Sequence, residues 1–425
     1  MKVSSRRKTS KSAPQMLVFH TAYTHKQLID LGLEIFVQSR DAGKFFEKII
    51  TINPIASLQY ANGQNLSGSP ETFYLDDRNT LIEGKTARYD FLKRFEVLNF
   101  FLAQLSLLMC IFRQVDFKSV SIVRAEDARY NGVLGLIASR LLRKPLIVGV
   151  WGNPGRLRMM NHSANMPRLF KSPESEARCE KYVLNRADMV LAQNQENLEY
   201  AITCGVEKSK TALTELGVGI DRVHFIPVEN RNTDLSYRHN VKIGEELILV
   251  CVSRLEKSKM VDHAIRATLS LQKASIPFKL YIAGEGRELE NLEDLVNSFG
   301  MSDKVFFLGN KSQEWLSSFF VDCDIALAPL CGRSLLETSL AGIPVVAYDL
   351  DWHNVIVKNF QTGILVPACD VSEFGDRVLQ LAQDPSLREK LGKNLMREAE
   401  MFANPGEIAR RQVGIYSTLT RSIRN

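Results

Sequence analysis

The sequence predicts an α/β protein: two Rossmann-like domains, each a doubly wound parallel sheet, facing a central cleft. Three observations carry this. Short β-rich runs alternate with longer helical patterns along nearly all of the 425 residues, the pattern of parallel sheets with crossover helices. One polar stretch at 226–244, rich in turn formers and without periodicity, separates two such series. The length suits two domains at roughly 100–200 residues each.

In the first series, MLVFHTAY (16–23) reads as a strand and 26–40 as a helix with Leu28, Leu31, Leu33, Ile35 and Phe36 on its apolar side. EKIITI (47–52) and ETFYL (71–75) read as strands. VSIVRA (120–125), a helix at 131–142 and PLIVGVW (145–151) form a compact βαβ unit, followed by a helix at 175–185 and the strand DMVLAQ (188–193). The second series opens with ELILVCVSR (246–254), a continuous apolar run expected of a central strand buried on both faces. Strands at 278–284, 304–310, 325–330 and 343–349 follow, with helices at 261–274, 286–298 and 334–341, two more helices, and a last one at 405–421. The expected division is a tail at 1–14, an N-terminal domain at 15–228, a C-terminal domain at 229–404 and a terminal helical segment at 405–425.

Composition excludes several classes. With 45% hydrophobic and 24% charged residues the chain is neither fibrous nor largely disordered. Its seven cysteines are scattered singly, without a CxxC, so neither a disulfide framework nor a zinc site is indicated, and a cytoplasmic location is expected. The net charge is +6, but Lys2, Arg6, Arg7, Lys8 and Lys11 supply five of those charges. The nearly neutral body argues against general nucleic-acid binding. The tail has no apolar core, so it is not a secretory signal; a disordered start is the preferred reading, a tether to anionic lipid the sharper one. Val97 to Phe112 is apolar but falls short of the ~20 residues of a span. It is expected to be a core-packed helix, with a membrane-facing patch as the alternative.

In open α/β sheets ligands bind beyond the carboxyl ends of strands. Arg254 ends a buried strand there, and Lys259 follows just before a helix. Two such cations suit a diphosphate, or are simply solvated surface charges. In PLCGRSLLETSLAGIPVVAYD (329–349), Gly332 permits close backbone approach, and a helix from about Ser334 points its first N–H groups and dipole at the same spot. Glu337, one turn inside, suits paired sugar hydroxyls or is an ordinary first-turn acid. AGEGREL (283–289) resembles the dinucleotide fingerprint, but Leu289 stands where Gly or Ala is wanted, which disfavours NAD. Asp322-Cys323-Asp324 and Asp349-Leu350-Asp351 are read as structural, and no metal site is expected.

Taken together, these motifs resemble the donor domain of the GT-B glycosyltransferases, specifically the retaining family 4 (glycosyl transferases group 1). The matches are Arg254-Leu255 with Lys259, Gly284 and Gly286, Phe307-Leu308-Gly309, Gly332, Glu337, Ala341-Gly342, Pro344-Val345-Val346, Thr362 to Pro367 and Asp370. They keep order and spacing over about 120 residues. The N-terminal half matches loosely, through Trp151-Gly152-Asn153, Arg186-Ala187-Asp188 and 217–227.

The resemblance implies transfer of a sugar from a nucleoside-diphosphate sugar to a glycan or lipid-linked acceptor, with retention and without metal or other cofactor. It implies that Arg254 and Lys259 hold the diphosphate and stabilise the leaving group, with the amides of Ser334 and Leu335 beside Gly332. Glu337 would bind the ribose, and the base would lie between Gly284–Gly286 and the segment ending at Gly309. The acceptor would sit near Tyr23, Thr24 and Trp151; His25 is read as a helix-start residue. The last helix would return to the N-terminal domain, and membrane contact would be peripheral, at the inner face.

Two departures stand out. Pro329 occupies the position of the family's first Glu, and Trp151 that of a histidine, which an indole cannot replace in proton transfer. Met260 also replaces a common Gly. The alternatives are therefore a nucleotide-binding protein of this fold without transfer, a nucleotide-sugar epimerase or hydrolase, and, more distantly, a NAD-linked oxidoreductase.

Overall fold

The computed structural model describes residues 13–421 apart from 31, 60–65, 153, 156–157, 159–165, 167–168, 215–218 and 233–245. The chain forms two compact units, one of residues 1–214 with 406–425, the other of 215–405.

The first unit is built on an eight-stranded sheet. Its strands are β1 (Gln15–Phe19), β2 (Lys48–Asn53), β3 (Glu71–Tyr74), β4 (Asn79–Glu83), β5 (Val120–Ala125), β6 (Leu146–Val150), β7 (Met189–Ala192) and β8 (Thr211–Leu213). Their order is β3-β4-β2-β1-β5-β6-β7-β8. The pairs are parallel except β3 with β4, an antiparallel edge that a purely parallel reading does not foresee. Alternation along β1 serves both faces. Leu17 and Phe19 join the cluster with Leu107, Ile111, Leu136 and Val183. Met16 and Val18 join Phe46, Ile122, Ile147 and Tyr416, to which the helix Pro405–Arg421 brings its buried side.

The second unit carries β9 (Leu247–Val252), β10 (Phe278–Ala283), β11 (Val305–Gly309), β12 (Ile325–Ala328), β13 (Val345–Tyr348) and β14 (Ile364–Val366), in the order β11-β10-β9-β12-β13-β14. All of these pairs are parallel. Strand β9 is internal, with Ile248 and Val250 in one core cluster and Leu249 and Cys251 in the other. Burial on both faces is why its sequence is apolar without a break.

Four expectations need correction. The helix expected at 26–40 is split into His25–Asp30 and Glu34–Gln38, because Gly32 adopts φ +60° and ends the first piece. The helix expected at 261–274 is likewise two pieces, Val261–Ala267 and Leu269–Lys273. The stretch read as a linker, 226–244, and the residues just before it begin as packed structure. Ile220 lies in a second-unit core, and the guanidinium of buried Arg231 donates to the carbonyls of His224, Ile226, Ser317 and Leu340 at 2.8–3.2 Å. Residues 219–228, expected in the first domain, thus belong to the second unit; 215–218, the rest of the expected linker, 233–244, and most of the tail lie outside the described residues. Finally, the apolar stretch is a helix, Glu96–Gln114, but it buries only Asn99, Ala103, Leu107 and Ile111. It is not packed into the core on all sides.

Candidate functional site

The residues singled out in the second unit converge at the carboxyl end of its sheet. Beyond β9 the chain turns through Ser253, Arg254 and Leu255, and the loop after β10 lies directly on it. Ser253 N–H donates to Ala283 O at 3.0 Å, and Leu255 N–H to Glu285 O at 2.9 Å. This contact explains two glycines. A Cβ on Gly284, at φ +141°, would lie 2.0 Å from Ser253 O, and one on Gly286 would lie 2.1 Å from Leu255 O. Both glycines permit two loops to touch. The carbonyl of Gly309, at φ +67°, accepts from Gly284 N–H at 2.9 Å and completes the layer.

Arg254 is exposed beyond this turn. Lys259 is half-buried; its pKa is held below the ordinary lysine value, chiefly by burial, with Arg254 acting in the same sense. Among the described residues neither cation has a carboxylate partner within salt-bridge distance. Met260, next in line, takes φ +53° as it leads into the helix Val261–Ala267. That left-handed backbone accounts for the glycine common at this position in the family.

The segment after β12 supplies the other wall. Pro329 and Cys331 are buried, whereas a Cβ on Gly332 would meet nothing within 4 Å. Ser334 opens the helix Ser334–Ser339 and ties it to β9 by donating Oγ–H to Val252 O at 2.7 Å. Leu335 is buried in the core, and its N–H bonds Gly332 O at 3.2 Å, so its amide is committed within the turn. Glu337 is 5% exposed, and among the described residues its carboxylate accepts no hydrogen bond. The Cys331 thiol connects these groups. Burial pushes it up to about 11, with Lys259 opposing that shift and Glu337 adding to it.

His353 went unnoticed in the sequence. It is fully buried, with Nδ1 3.0 Å from Tyr348 O and Nε2 3.2 Å from the backbone N and O of Cys331. Burial lowers its pKa, so the ring is neutral and fixes the loop that carries Gly332. No spacing rule connects residue 353 to 331; only the fold does. Asp324 accepts from Ile248 N–H at 2.8 Å, at the amino end of β9. It therefore sits at the opposite end of the sheet from Arg254. Among the described residues, no group of three or more His, Cys, Asp or Glu side chains is placed to hold a metal ion.

In the first unit the three residues expected near the acceptor lie at the carboxyl side of the sheet, Tyr23 and Thr24 after β1 and Trp151 after β6. Thr24 caps the helix His25–Asp30: its Oγ1 accepts from Gln27 N–H at 3.2 Å, and Gln27 Oε1 accepts from Thr24 N–H at 2.9 Å. His25 stacks on Phe73 at 4.1 Å, and Tyr23 packs in a small cluster with Leu28 and Leu81. Trp151 meets the same side of the sheet through Glu126, its Nε1–H donating to Glu126 Oε2 at 2.7 Å.

Glu126 is the hub of a buried charge network at the carboxyl ends of β1, β5 and β6. Arg40 Nε and Arg124 Nε approach its Oε1 at 2.9 and 3.0 Å. Arg40 also reaches His20 Nδ1 at 2.8 Å, and Arg124 donates to Tyr416 OH at 3.1 Å. Although burial alone would raise it, the Glu126 carboxyl is held at about 2 by the two arginines. Burial and Arg40 bring His20 to about 3, so its ring is neutral and accepts from the guanidinium. Beside the network is a cavity of about 180 Å³ lined by Asp127, Arg129, Trp151, Glu180 and Tyr200.

Residues 234–397 match the family model for glycosyl transferases group 1. The chain is 29% identical over 178 residues to alpha-D-kanosaminyltransferase of Streptomyces kanamyceticus, covering 41% of this chain and 46% of that protein. It is 26% identical over 244 residues to D-inositol 3-phosphate glycosyltransferase of Corynebacterium jeikeium, covering 55% and 58%. The matches thus span about half the length of these curated relatives. Among solved structures, Anabaena Alr3699/HepE in complex with UDP and glucose is similar at a TM-score of 0.70 and 16% identity, covering 95% of this chain and all of that one. Sucrose-phosphate synthase from Thermosynechococcus elongatus is similar at 0.69 and 17%, covering 96% and 100%. These likenesses are of fold: two parallel-sheet α/β units of the GT-B glycosyltransferase kind. The likeness to glycosyl transferases group 1 thus lies in residues 234–397.

Proposed function

We propose that this protein is a glycosyltransferase that takes its sugar from a nucleoside-diphosphate sugar bound at the carboxyl end of the second sheet. The observation that carries the reading is the pairing of two cations that have no carboxylate partner among the described residues, Arg254 and half-buried Lys259, with buried Glu337 around the open face of Gly332. A cation held below its usual pKa by burial gains most from an anion. Arg254 and Lys259 hold the diphosphate, and Glu337 accepts from the ribose hydroxyls.

In the reaction, an acceptor hydroxyl oxygen bonds to the anomeric carbon as the bond from that carbon to the diphosphate oxygen breaks. The bonding pair leaves with the diphosphate, and the hydroxyl proton passes to the departing phosphate oxygen. Arg254 and Lys259 stabilise the charge that develops there, a task metal ions perform in other enzymes. Attack from the leaving-group side retains the anomeric configuration. Trp151 and the cavity beside it, in the first unit, suit a hydroxyl-rich acceptor, a glycan or the sugar head of a lipid-linked one.

The test is release of nucleoside diphosphate from UDP-, GDP- and ADP-sugars in the presence of EDTA, with and without added sugar and polyol acceptors. Acceptor-dependent release supports transfer, and the anomeric coupling in the product reports retention. Release or isomerisation without acceptor points to the hydrolase or epimerase reading. Binding without turnover points to a nucleotide-binding protein, a reading favoured by Pro329 and by Trp151, whose N–H is committed to Glu126.

A further inference from the structure

Among the described residues, one helix is long and apolar enough to cross a membrane by length and composition, Glu96–Gln114. Its anchoring shows that it lies along the protein. Asn99, Ala103, Leu107 and Ile111, spaced four apart, form its single buried stripe. Asn99 Oδ1 accepts from Arg88 N–H at 2.7 Å and Tyr89 N–H at 2.9 Å, and its Nδ2 donates to Tyr89 O at 2.7 Å. Gln104 Nε2 donates to the carbonyls of Pro54 and Lys85, each at 3.3 Å. Leaving the sheet to span a bilayer would strip all of these bonds.

The outward side is apolar. Phe91 (78% exposed), Phe95, Val97 (71%), Phe101 (66%), Leu105 and Phe112 face away from the core. The next helix, Tyr130–Leu142, extends the surface. Its Tyr130 donates to Gln104 Oε1 at 3.1 Å, both helices contribute to one core cluster, and its Ile137 and Leu141 are exposed. Aromatic side chains this exposed and this numerous mark an interaction surface.

Charge selects the occupant. Six exposed cations, Lys93, Arg94, Arg113, Lys118, Arg140 and Arg143, flank the apolar face, against the exposed carboxylates Asp90, Glu96 and Asp116. A second copy docked face to face would bring this cationic excess against itself, whereas an anionic lipid surface complements it. We propose that the face formed by Glu96–Gln114 and Tyr130–Leu142 docks the protein in the interfacial layer of an anionic membrane, with the aromatic side chains among the acyl chains and the cations at the headgroups. This inference does not depend on the glycosyltransferase reading.

The test is flotation of the full chain with vesicles of phosphatidylcholine alone, or of phosphatidylcholine and phosphatidylglycerol in equal parts. The variants are Phe101→Ser/Leu105→Ser and Arg94→Gln/Arg113→Gln, all at exposed positions, with unfolding temperature as the check on fold. The expected result is binding to anionic vesicles at least tenfold tighter than to neutral ones, reduced at least tenfold by either pair of substitutions and weakened by salt. Absence of binding by the unaltered chain overturns the proposal. So does undiminished binding by both variants, which would place lipid contact elsewhere, the basic residues of 1–12 included. A dimer in light scattering that the first variant turns to monomer, with vesicle binding unaffected, assigns the face to a second copy and overturns it equally.

Discussion

Replacing Lys259 by methionine separates a ligand-binding role from a structural one. Without ligand the ammonium is half-buried and its pKa is lowered, mainly by burial. A lysine whose folded pKa is depressed binds its proton less tightly in the native state than in the unfolded chain, so its charge opposes folding below that pKa. Lys259→Met keeps the aliphatic stem and removes this opposition; the unliganded protein should unfold at the same temperature or a higher one. With a nucleoside diphosphate bound, a charge-assisted hydrogen bond of about 1.5–3 kcal/mol is lost, so affinity should fall roughly tenfold to a hundredfold. At a ligand concentration one hundred times Kd, binding stabilises the unaltered chain by about 2.7 kcal/mol. After a hundredfold loss the same concentration gives only about 0.4 kcal/mol. Thermal unfolding with and without the diphosphate reads both effects. A lower unfolding temperature without ligand, together with an undiminished ligand shift, would make Lys259 structural and remove it from the diphosphate site.

Four further outcomes follow from the geometry. Glu337→Gln should weaken a ribonucleoside diphosphate about tenfold to a hundredfold and erase most of the preference over its 2′-deoxy analogue, measured by competition. Gly284→Ala places a Cβ 2.0 Å from Ser253 O at φ +141° and should destabilise by about 1–3 kcal/mol in denaturant unfolding. Gly332→Ala, whose Cβ meets nothing within 4 Å, should leave unfolding unchanged while reducing diphosphate affinity. The last concerns pH. With His20 held at about 3 in the native state, only the unfolded chain takes up that proton between pH 6.5 and 3. Stability therefore drains as pH falls below 6.5, by up to about 1.4 kcal/mol per pH unit from this group. His20→Asn should shrink the difference in unfolding free energy between pH 7 and pH 5; an unchanged difference contradicts the neutral assignment.

How far the sequence reveals this molecule depends on the range of the interaction. Strand β9 was legible because burial on both faces leaves an unbroken apolar run. The turn at Arg254, the glycines at 284 and 286 and the segment 329–349 were legible as a set, because local spacing encodes loops that fold close to where they are written. The reason for the two glycines was not, since a Cβ clash with residues 253–255 exists only once β9 and β10 are paired. The network of His20, Arg40, Arg124, Glu126, Trp151 and Tyr416 was invisible for the same cause. Its members are scattered over nearly 400 residues, and no periodicity links them. The helix Glu96–Gln114 shows another limit. It is apolar nearly all round, so its sequence does not say which side is buried, and the stripe that packs contains Asn99, which hydropathy alone would place outside. Edge strand β3 is half-exposed and pairs antiparallel, against the pattern of its neighbours.

In the proposed function the carboxyl end of the second sheet holds a nucleoside diphosphate between Arg254, Lys259 and Glu337. Its most direct test is calorimetric titration of the unaltered chain and of Arg254→Ala/Lys259→Ala with UDP, GDP, ADP and dTDP, without added metal. The expected result is saturable one-to-one binding of at least one of these diphosphates by the unaltered chain, and its loss in the double variant while the unfolding temperature is kept. Binding of none of the four, or equal binding by both proteins, would contradict it.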